Sequence, residues 1–575
     1  MAPKRSSARF AAAACLLLGG CTVEGADSPA DGRTYKSAKD SGAAVFPDSV
    51  PDAKLALDSL PPTVQFRIGA SSSTEGDKAV YLEVALPAAA PLPVSVHYAV
   101  TRSQARDHER CTPKDYTLPG AELVIGAGET GGKIALALHD DALFEGDEEI
   151  AVTLSAPENA VLGAQKTHVL TIVDDDRPTL VSVADHGAKA DGKTDDRAAI
   201  QAAVDAVAKA GGGVVLFPPG KYLVGDVVIL KPNITYFGYG ATTLRPPNQG
   251  KWANTFRQEK YSSDVDSAPL VVQGFTMDGN SQNQGPYQSF ELQQAHLISV
   301  MGNYGVWGKE GRVRVFLEDL TLQNGCGDGV MLVSNDDAHL CHVEARDVFR
   351  GGMTMTGGNS VAHVYDLTTG GKIDPTGIDV EVEGSETVEL YMEKVRLLDG
   401  DFDVAMSRNG TAKGGIVELK DVVSRGSAFH MHTKEAKVRI SDSEFWVGVY
   451  RSPVGNVVMQ GKDVEFKNVT FHVIEDYRAH GELTPPPEED RTLYALDALW
   501  NSNYEPTMTG QRVICDGCTF KVDPATVEAS DKVYVMHTRW NIASQDNRII
   551  LKNPTIDARF DGAKAPECVQ CQVDP

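Results

Sequence analysis

Residues 376–384 read TGIDVEVEG, in which Ile378, Val380 and Val382 alternate with Asp379, Glu381 and Glu383. A strand with this period of two sends its apolar side chains to one face and all three carboxylates to the other. The alternation recurs along the C-terminal part of the chain in VFLEDLTLQN, AHLCHVEARDV, AHVYDLTTGG, LYMEKVRLLDG, VELKDVVSRG, VRISDSEFWVG and VEFKNVTFHV. With Leu320, Val343, Leu367, Val395, Val422, Ser443 and Val469 taken as equivalent, the steps run from 21 to 28 residues, one solenoid coil per step. VVQGFTMDGN before this series, and CDGCTFKVD and LKNPTIDARF after it, fit the same scheme. Between Val64 and Asp176 the runs VYLEVAL, VSVHYAV, KIALALH, IAVTLSA and HVLTIV are broken by Gly, Pro and Asp turns and predict a sandwich of about seven strands. One helix is expected: Thr194 and Asp195 suit its N-cap, Ile200, Ala203 and Val204 share a face, and Gly211–Gly213 stop it.

The ends of these patterns divide the chain into residues 1–20, 21–60, 61–176 and 177–575. Lys4, Arg5 and Arg9 precede FAAAACLLLGG, a run too short to span a membrane as a permanent helix and typical of a targeting segment. Its end, Leu18-Gly19-Gly20-Cys21, resembles the lipobox of bacterial lipoproteins. That resemblance implies cleavage before Cys21, lipidation there, and an exported protein held at the bacterial outer membrane or cell surface through a lipid anchor only. Plain secretion is the alternative. Residues 21–60 are rich in Ser, Asp, Ala, Gly and Pro and read as a flexible tether.

In the 61–176 segment, Glu75-Gly76, Asp115-Tyr116, HDDALFEGDEEIAVTLSAP and LTIVDDD resemble a Calx-beta domain. The resemblance implies Ca2+ held at one end of the sandwich by Glu75, Asp115, Asp141, Glu145, Glu148, Asp174 and Asp175. Calcium takes several oxygen ligands, and acids converging from separate loops supply them. A solvated acidic loop end on a structural module is the plainer alternative. From Leu180, VSVADHGAKADGKTDDRAAIQAAVDAVAKAGGGVVLFPPGKYLVGDVVILKPNITYFGYGATTL resembles the entrance of pectate-lyase-like proteins of the polygalacturonase superfamily. The fold class is therefore expected to be all-β: a Calx-beta-type sandwich followed by a right-handed parallel β-helix.

Each coil also carries a second strand: GDGVMLVS, GGMTMTGG, TGIDVEVEG, DFDVAMSRNG, AFHMHTKEA and VGVYRSP in succession. With apolar members inward, Thr354, Asp379, Glu381, Asp403, His430, His432 and Lys434 face out on coils about 4.8 Å apart. Arg408 and Arg451 follow on adjoining turns, and Asp328 lies at the other edge. Asp379, Glu381, Asp403, His430, His432, Arg408 and Lys434 are the catalytic candidates, with Asp328, Thr354 and Arg451 as substrate contacts. Carboxylates at about 5 Å raise one another's pKa, so one can hold a proton while the other stays ionised. Alternatively they bind a cation that screens a substrate carboxylate while a histidine or lysine removes a C5 proton. A lyase or epimerase on uronate-containing polysaccharide uses the second arrangement, and a glycoside hydrolase the first. A non-catalytic glycan-binding or adhesion protein would need neither, because a polar outer face can simply balance charge. The superfamily's hydrolase motifs Gly-His-Gly and Arg-Ile-Lys are missing, which weighs against galacturonan hydrolysis; Asn335-Asp336-Asp337 and His339 read as a turn between coils.

The net charge of −25 argues against a nucleic-acid partner, which would require a basic surface. Of nine cysteines, Cys515, Cys518, Cys568 and Cys571 are expected to form disulfides at the end of the solenoid, with zinc as the minority alternative. Cys326 and Cys341 are a further candidate pair, and Cys111 has no evident partner within its domain.

Overall fold

A computed structural model of the chain describes residues 61–575 apart from 107–110, 112–113, 142, 177, 249–253, 259–268, 286–293, 302–312, 334–335, 357–359, 372–375, 382–386, 399–400, 406–414, 426–428, 448–456, 475–491, 499–511, 525–526, 528–531, 538–547, 561–570 and 575. Cys21, Arg408, Arg451 and Cys568 lie outside the described residues. Among the described residues, no helix is long and apolar enough to cross a membrane.

The first part is a sandwich of two five-stranded sheets. One sheet joins Tyr116–Thr117, Gly131–Leu138, Ala79–Ala85, Thr63–Phe66 and Val161–Leu162; the other joins Ala70–Thr74, Thr167–Val173, Glu148–Glu158, Val94–Ser103 and Glu122–Ile125. The alternating runs place Val64, Leu82, Val96, Leu136, Val152 and Leu170 between the sheets, where all are buried.

From Leu180 to Asp574 the strands form a 29-stranded parallel array in which each pairs with its equivalent on neighbouring coils. Leu320, Val343, Leu367, Val395 and Val422 stand in one register row, as the periodicity predicts. Each coil bends at one residue of positive φ: Asp319, His342, Asp366, Lys394 and Asp421 within the long strands, and Asp442 and Asn468 just after them. Asp and Asn tolerate this left-handed conformation best. Charges are matched along this column: Asp319 meets His342 at 3.2 Å, Asp366 meets Lys394 at 2.6 Å, and Asp421 meets Arg396, two residues beyond Lys394, at 2.9 Å.

The helix runs from Arg197 to Ala210 and covers the first coil with Ile200, Ala203, Val204 and Val207 fully buried. Asp196 precedes it in the N-cap position without a side-chain cap bond, its carboxylate accepting the N–H groups of Lys189 and Ala190, while Asp195 of the expected pair accepts the Arg197 N–H at 3.1 Å. Gly211, at φ 100°, ends it.

The cysteines differ from expectation. Cys111 pairs with Cys341, 230 residues away, and so ties the sandwich covalently to the solenoid. Leu340 points into the core, so its neighbour Cys341 is turned to the outer face, where the sandwich supplies Cys111. Cys326 is left as a buried free thiol. Cys515 and Cys518 are likewise free and fully buried in the solenoid core, where they pack as small apolar side chains rather than forming the expected staple. Cys571 lies on the Cys571–Asp574 strand.

Candidate functional site

The row predicted from TGIDVEVEG exists in the backbone register. Thr354 pairs with Asp379, Asp379 with Asp403, and Asp403 with His430, one residue per coil. Ile378 and Val380 flank Asp379 and are fully buried, whereas Asp379 is half-buried on the opposite face. The adjacent row holds Thr356, Glu381, Ala405 and His432, so Glu381 and His432 are two coils apart. Lys434 lies farther along the Phe429–Ser441 strand, within a register irregularity between Thr433 and Lys437. Beyond His430 the first row continues through Val458 and Asp497 to His537. Asp497 and His537 were missed by sequence reasoning, because the stretch EDYRAHGELTPPPEEDR interrupts the repeating sequence pattern before them.

Two expected substrate contacts are not on the surface. Thr354 and Asp328 are fully buried, and the Thr354 hydroxyl donates to Asp328 Oδ1 at 2.8 Å. His296 Nδ1 lies 2.8 Å from Asp328 Oδ2, and Arg350 lies 3.6 Å from it. A carboxylate so enclosed needs cationic and hydroxyl partners, and these are spent on it. Asp328 and Thr354 therefore anchor the coils beneath Asp379 rather than line a groove.

The acidic end of the sandwich divides in two. Glu75, Asp174 and Asp176 offer oxygens within 4.8 Å of one another, as do Glu75, Asp140 and Asp175. Burial, then the nearby Asp174 charge, push the Glu75 carboxyl up to about 7. Such crowding of oxygens suits calcium, and Glu75, Asp140, Asp174, Asp175 and Asp176 would hold it, with Asp141 beside them. Asp174 Oδ2 also accepts the N–H groups of Glu145 and Gly146 at 2.8 and 2.7 Å. The next residue back, Phe144, packs edge-on against Phe237 of the solenoid at 5.5 Å.

Asp115, Glu145 and Glu148, expected as calcium ligands, instead surround Arg106. The guanidinium bonds Glu145, reaches Asp115 at 3.3 Å, lies 3.9 Å from Glu148 and meets Glu318 of the solenoid at 2.8 Å. All five side chains are nearly inaccessible. Burial opposes the Arg106 charge, but Glu318, Asp115 and Glu148 overcome it and hold the group firmly protonated. Arg106 thus supplies the positive charge there, and these three acids do not fit a calcium site. It was invisible as a partner because Glu318 is so distant in sequence.

Asp337 and His339 lie on the Asp336–Arg346 strand, not in the expected turn. His339, 3.5 Å away, holds the Asp337 carboxyl below the usual range. At the sandwich boundary, a cleft of about 430 Å3 is lined by Arg102, Arg106, Asp319, His342, Tyr365 and Lys394, among others. Asp319 of that lining accepts a hydrogen bond from the Tyr239 hydroxyl at 2.5 Å.

Comparison with known proteins gives partial matches. Alginate lyase 7 of Azotobacter vinelandii is 39% identical over 115 residues, covering 18% of this chain and 13% of that protein. Mannuronan C5-epimerase AlgE6 of the same organism is 60% identical over 110 residues, again covering 18% and 13%. Plasmin and fibronectin-binding protein A of Streptococcus pneumoniae is 57% identical over 214 residues, covering 37% of this chain and 27% of that protein. The chain therefore spans 27% or less of the length of these three relatives. Among solved structures, the A-module of Azotobacter vinelandii mannuronan C-5 epimerase AlgE4 aligns with 69% of this chain and 100% of its own, at 16% identity and a TM-score of 0.41. Residues 58–176 match the Calx-beta domain, and residues 180–339 match the family described as rhamnogalacturonase A/epimerase, pectate lyase-like.

Proposed function

We propose that this chain is an exported, Cys21-anchored protein that acts on uronate-containing polysaccharide by lyase or C5-epimerase chemistry at the Asp379–Asp403–His430 row. The observation that carries this reading is the register, which sets two acids and a histidine on three successive coils of one sheet. Inter-strand spacing of about 4.8 Å makes them immediate neighbours along the solenoid axis. A polymer lying along that axis would meet one member of the row per coil.

The chemistry begins with removal of the C5 proton, with His430 as base and His432 and Lys434 as alternatives on the same strand. The electron pair moves into the substrate carboxylate, whose charge must be neutralised. Asp379 and Asp403 would do this by sharing a proton with it or by holding a cation against it; Arg408 and Arg451 are the basic candidates. Calcium at that point would supply charge neutralisation. In a lyase the pair then expels the C4 oxygen, which takes up the proton the base has just gained, leaving a C4–C5 double bond and a free hydroxyl end. In an epimerase a proton returns to C5 from the opposite face. The relatives named as an alginate lyase and mannuronan C5-epimerases support this reaction class. At the sandwich, calcium held by Glu75 and its neighbours would stabilise the loop that carries Phe144.

The test is the full chain with polymannuronate, polyguluronate and polygalacturonate, with and without calcium, followed by ultraviolet absorbance of unsaturated uronate and by reducing-end release. Absorbance rising in step with chain ends supports a lyase. New reducing ends without absorbance would replace this reading with hydrolysis by paired acids. A second reading, a non-catalytic adhesion protein, is favoured by the match to the plasmin and fibronectin-binding protein. It predicts retention on immobilised glycan with no chemical change in any polymer.

A further inference from the structure

On another face of the solenoid, Phe316, His339, His363 and Tyr391 form a register row on four successive coils. Their rings are piled along the axis: Phe316 to His339 at 4.9 Å, His339 to His363 at 4.8 Å, and His363 to Tyr391 at 5.1 Å. The two imidazoles are thus bracketed by aromatic rings that restrict their rotation. Asp337 lies one row over, with Oδ1 3.5 Å from His339 Nε2 and Oδ2 3.5 Å from Arg314 Nε. Asp337, His339 and His363 each present one ligand atom, all within 4.8 Å of one another, and all three side chains are half-buried rather than sealed.

We propose that Asp337, His339 and His363 form a binding site for a transition-metal ion of the zinc class. Two imidazole nitrogens and one carboxylate oxygen make a borderline donor set that suits Zn2+, Co2+ or Ni2+ and not the harder Ca2+. Three protein ligands leave further positions for water. Metal–ligand bonds of about 2.0–2.2 Å require the donors to draw closer than their present spacing. Rotation of the Asp337 side chain, which lies outside the ring stack, with a small tilt of the two imidazoles, provides that movement without shifting the backbone. Imidazole can bind a metal through Nδ1 or Nε2, and on His339 it is Nε2 that faces the Asp337 carboxylate.

The site lies where a cross-link would matter. His339 is two residues from Cys341, the solenoid end of the disulfide that holds the sandwich. A bound ion would join the coil of Asp337 and His339 to the coil of His363 beside that anchor. This function is independent of any reaction at the Asp379 row.

The experiment uses the full chain, freed of metal by chelation and titrated with Zn2+ by calorimetry, and with Co2+ by visible absorption. Three variants are compared: His363→Phe and His339→Phe, which retain the ring stack, and Asp337→Asn. Wild type is expected to bind one equivalent that all three variants lose or weaken at least tenfold, with a rise in melting temperature on Zn2+ addition that disappears in the phenylalanine variants. The metal-free melting temperatures of those variants should stay close to wild type, because the stack is kept. If Zn2+ binds equally well to His363→Phe and His339→Phe, the ion lies elsewhere and the assignment is overturned. It is also overturned if wild type takes up no metal, or takes up an adventitious ion only, with no Co2+ spectrum sensitive to these residues.

Discussion

Replacing Arg106 with Met tests the physical link between sandwich and solenoid. The substitution keeps much of the side-chain volume and removes the guanidinium that faces Asp115, Glu145, Glu148 and Glu318. Breaking a buried ion pair by removing one partner costs about 3–5 kcal/mol, because the other charge is left uncompensated. At roughly 4 °C or more per kcal/mol for a domain of this size, the sandwich transition should fall by on the order of 10–20 °C. The loss should depend on pH. Burial already raises the Glu148 carboxyl well above its usual value, even with Arg106 opposing that shift. Without Arg106 the Glu148 carboxyl moves up further, and an acid whose folded pKa is raised destabilises the fold as pH climbs through the interval between its unfolded and folded values. The deficit should therefore be larger at pH 8 than at pH 5. Differential scanning calorimetry at both pH values, with the disulfide intact, gives the numbers. Adding Glu318→Gln to the variant should recover part of the loss, since one unpaired charge is removed. A melting temperature within about 2 °C of wild type at pH 8 would show that the network contributes nothing measurable.

Other consequences can be measured separately. Cys111→Ser should lower stability by up to about 5 kcal/mol on the chain-entropy estimate for so long a loop, and non-reducing peptide mapping of wild type should recover the 111–341 pair; its absence contradicts the covalent docking. His342 gains its raised pKa first from its hydrogen bond to Asp319, against burial, so its contribution is full below about 6.5 and fades as pH rises through the folded value. Asp319 is lowered, its bonds to His342 and Tyr239 outweighing burial, so its contribution is present above 3.8 and is lost as pH falls through the folded value. His342→Gln should accordingly flatten the fall in melting temperature from pH 6 to pH 8, and an unchanged slope would remove this pair from the pH response. Calcium should raise the melting temperature of the sandwich in wild type and much less in Glu75→Gln, while equal shifts in both would place the ion elsewhere.

Much of the architecture was readable because period-two alternation repeated at coil length leaves few alternatives. Leu320, Val343 and Leu367 could be aligned by eye, and once they are, backbone pairing fixes which residues of the second strands meet. That is why Asp379, Asp403 and His430 could be placed side by side from sequence. Burial of the outer face was not readable. Thr354 and Asp328 have the polarity of surface residues, yet partners drawn from His296 and Arg350 enclose them. The domain interface was equally hidden. Arg106 lies in QARDHER, which reads as a loop of mixed charge, and Cys111 looks orphaned when only its own domain is searched. Cys111 depends on Cys341, and Arg106 in part on Glu318, each more than two hundred positions away, and no local pattern encodes such pairings.

The central claim is that a base on the Asp379–Asp403–His430 row removes the C5 proton of a uronate. Its most direct test is proton NMR of polymannuronate and polygalacturonate incubated in D2O with the full chain, beside the Asp403→Asn variant. Both lyase and epimerase chemistry require exchange or loss of the H5 signal. Wild type should cause it on at least one polymer, and Asp403→Asn should slow it by about 10²-fold or more while melting at the wild-type temperature. An H5 signal that persists undiminished with wild type on both polymers, with and without calcium, would contradict the proposed chemistry and leave the row to glycan binding.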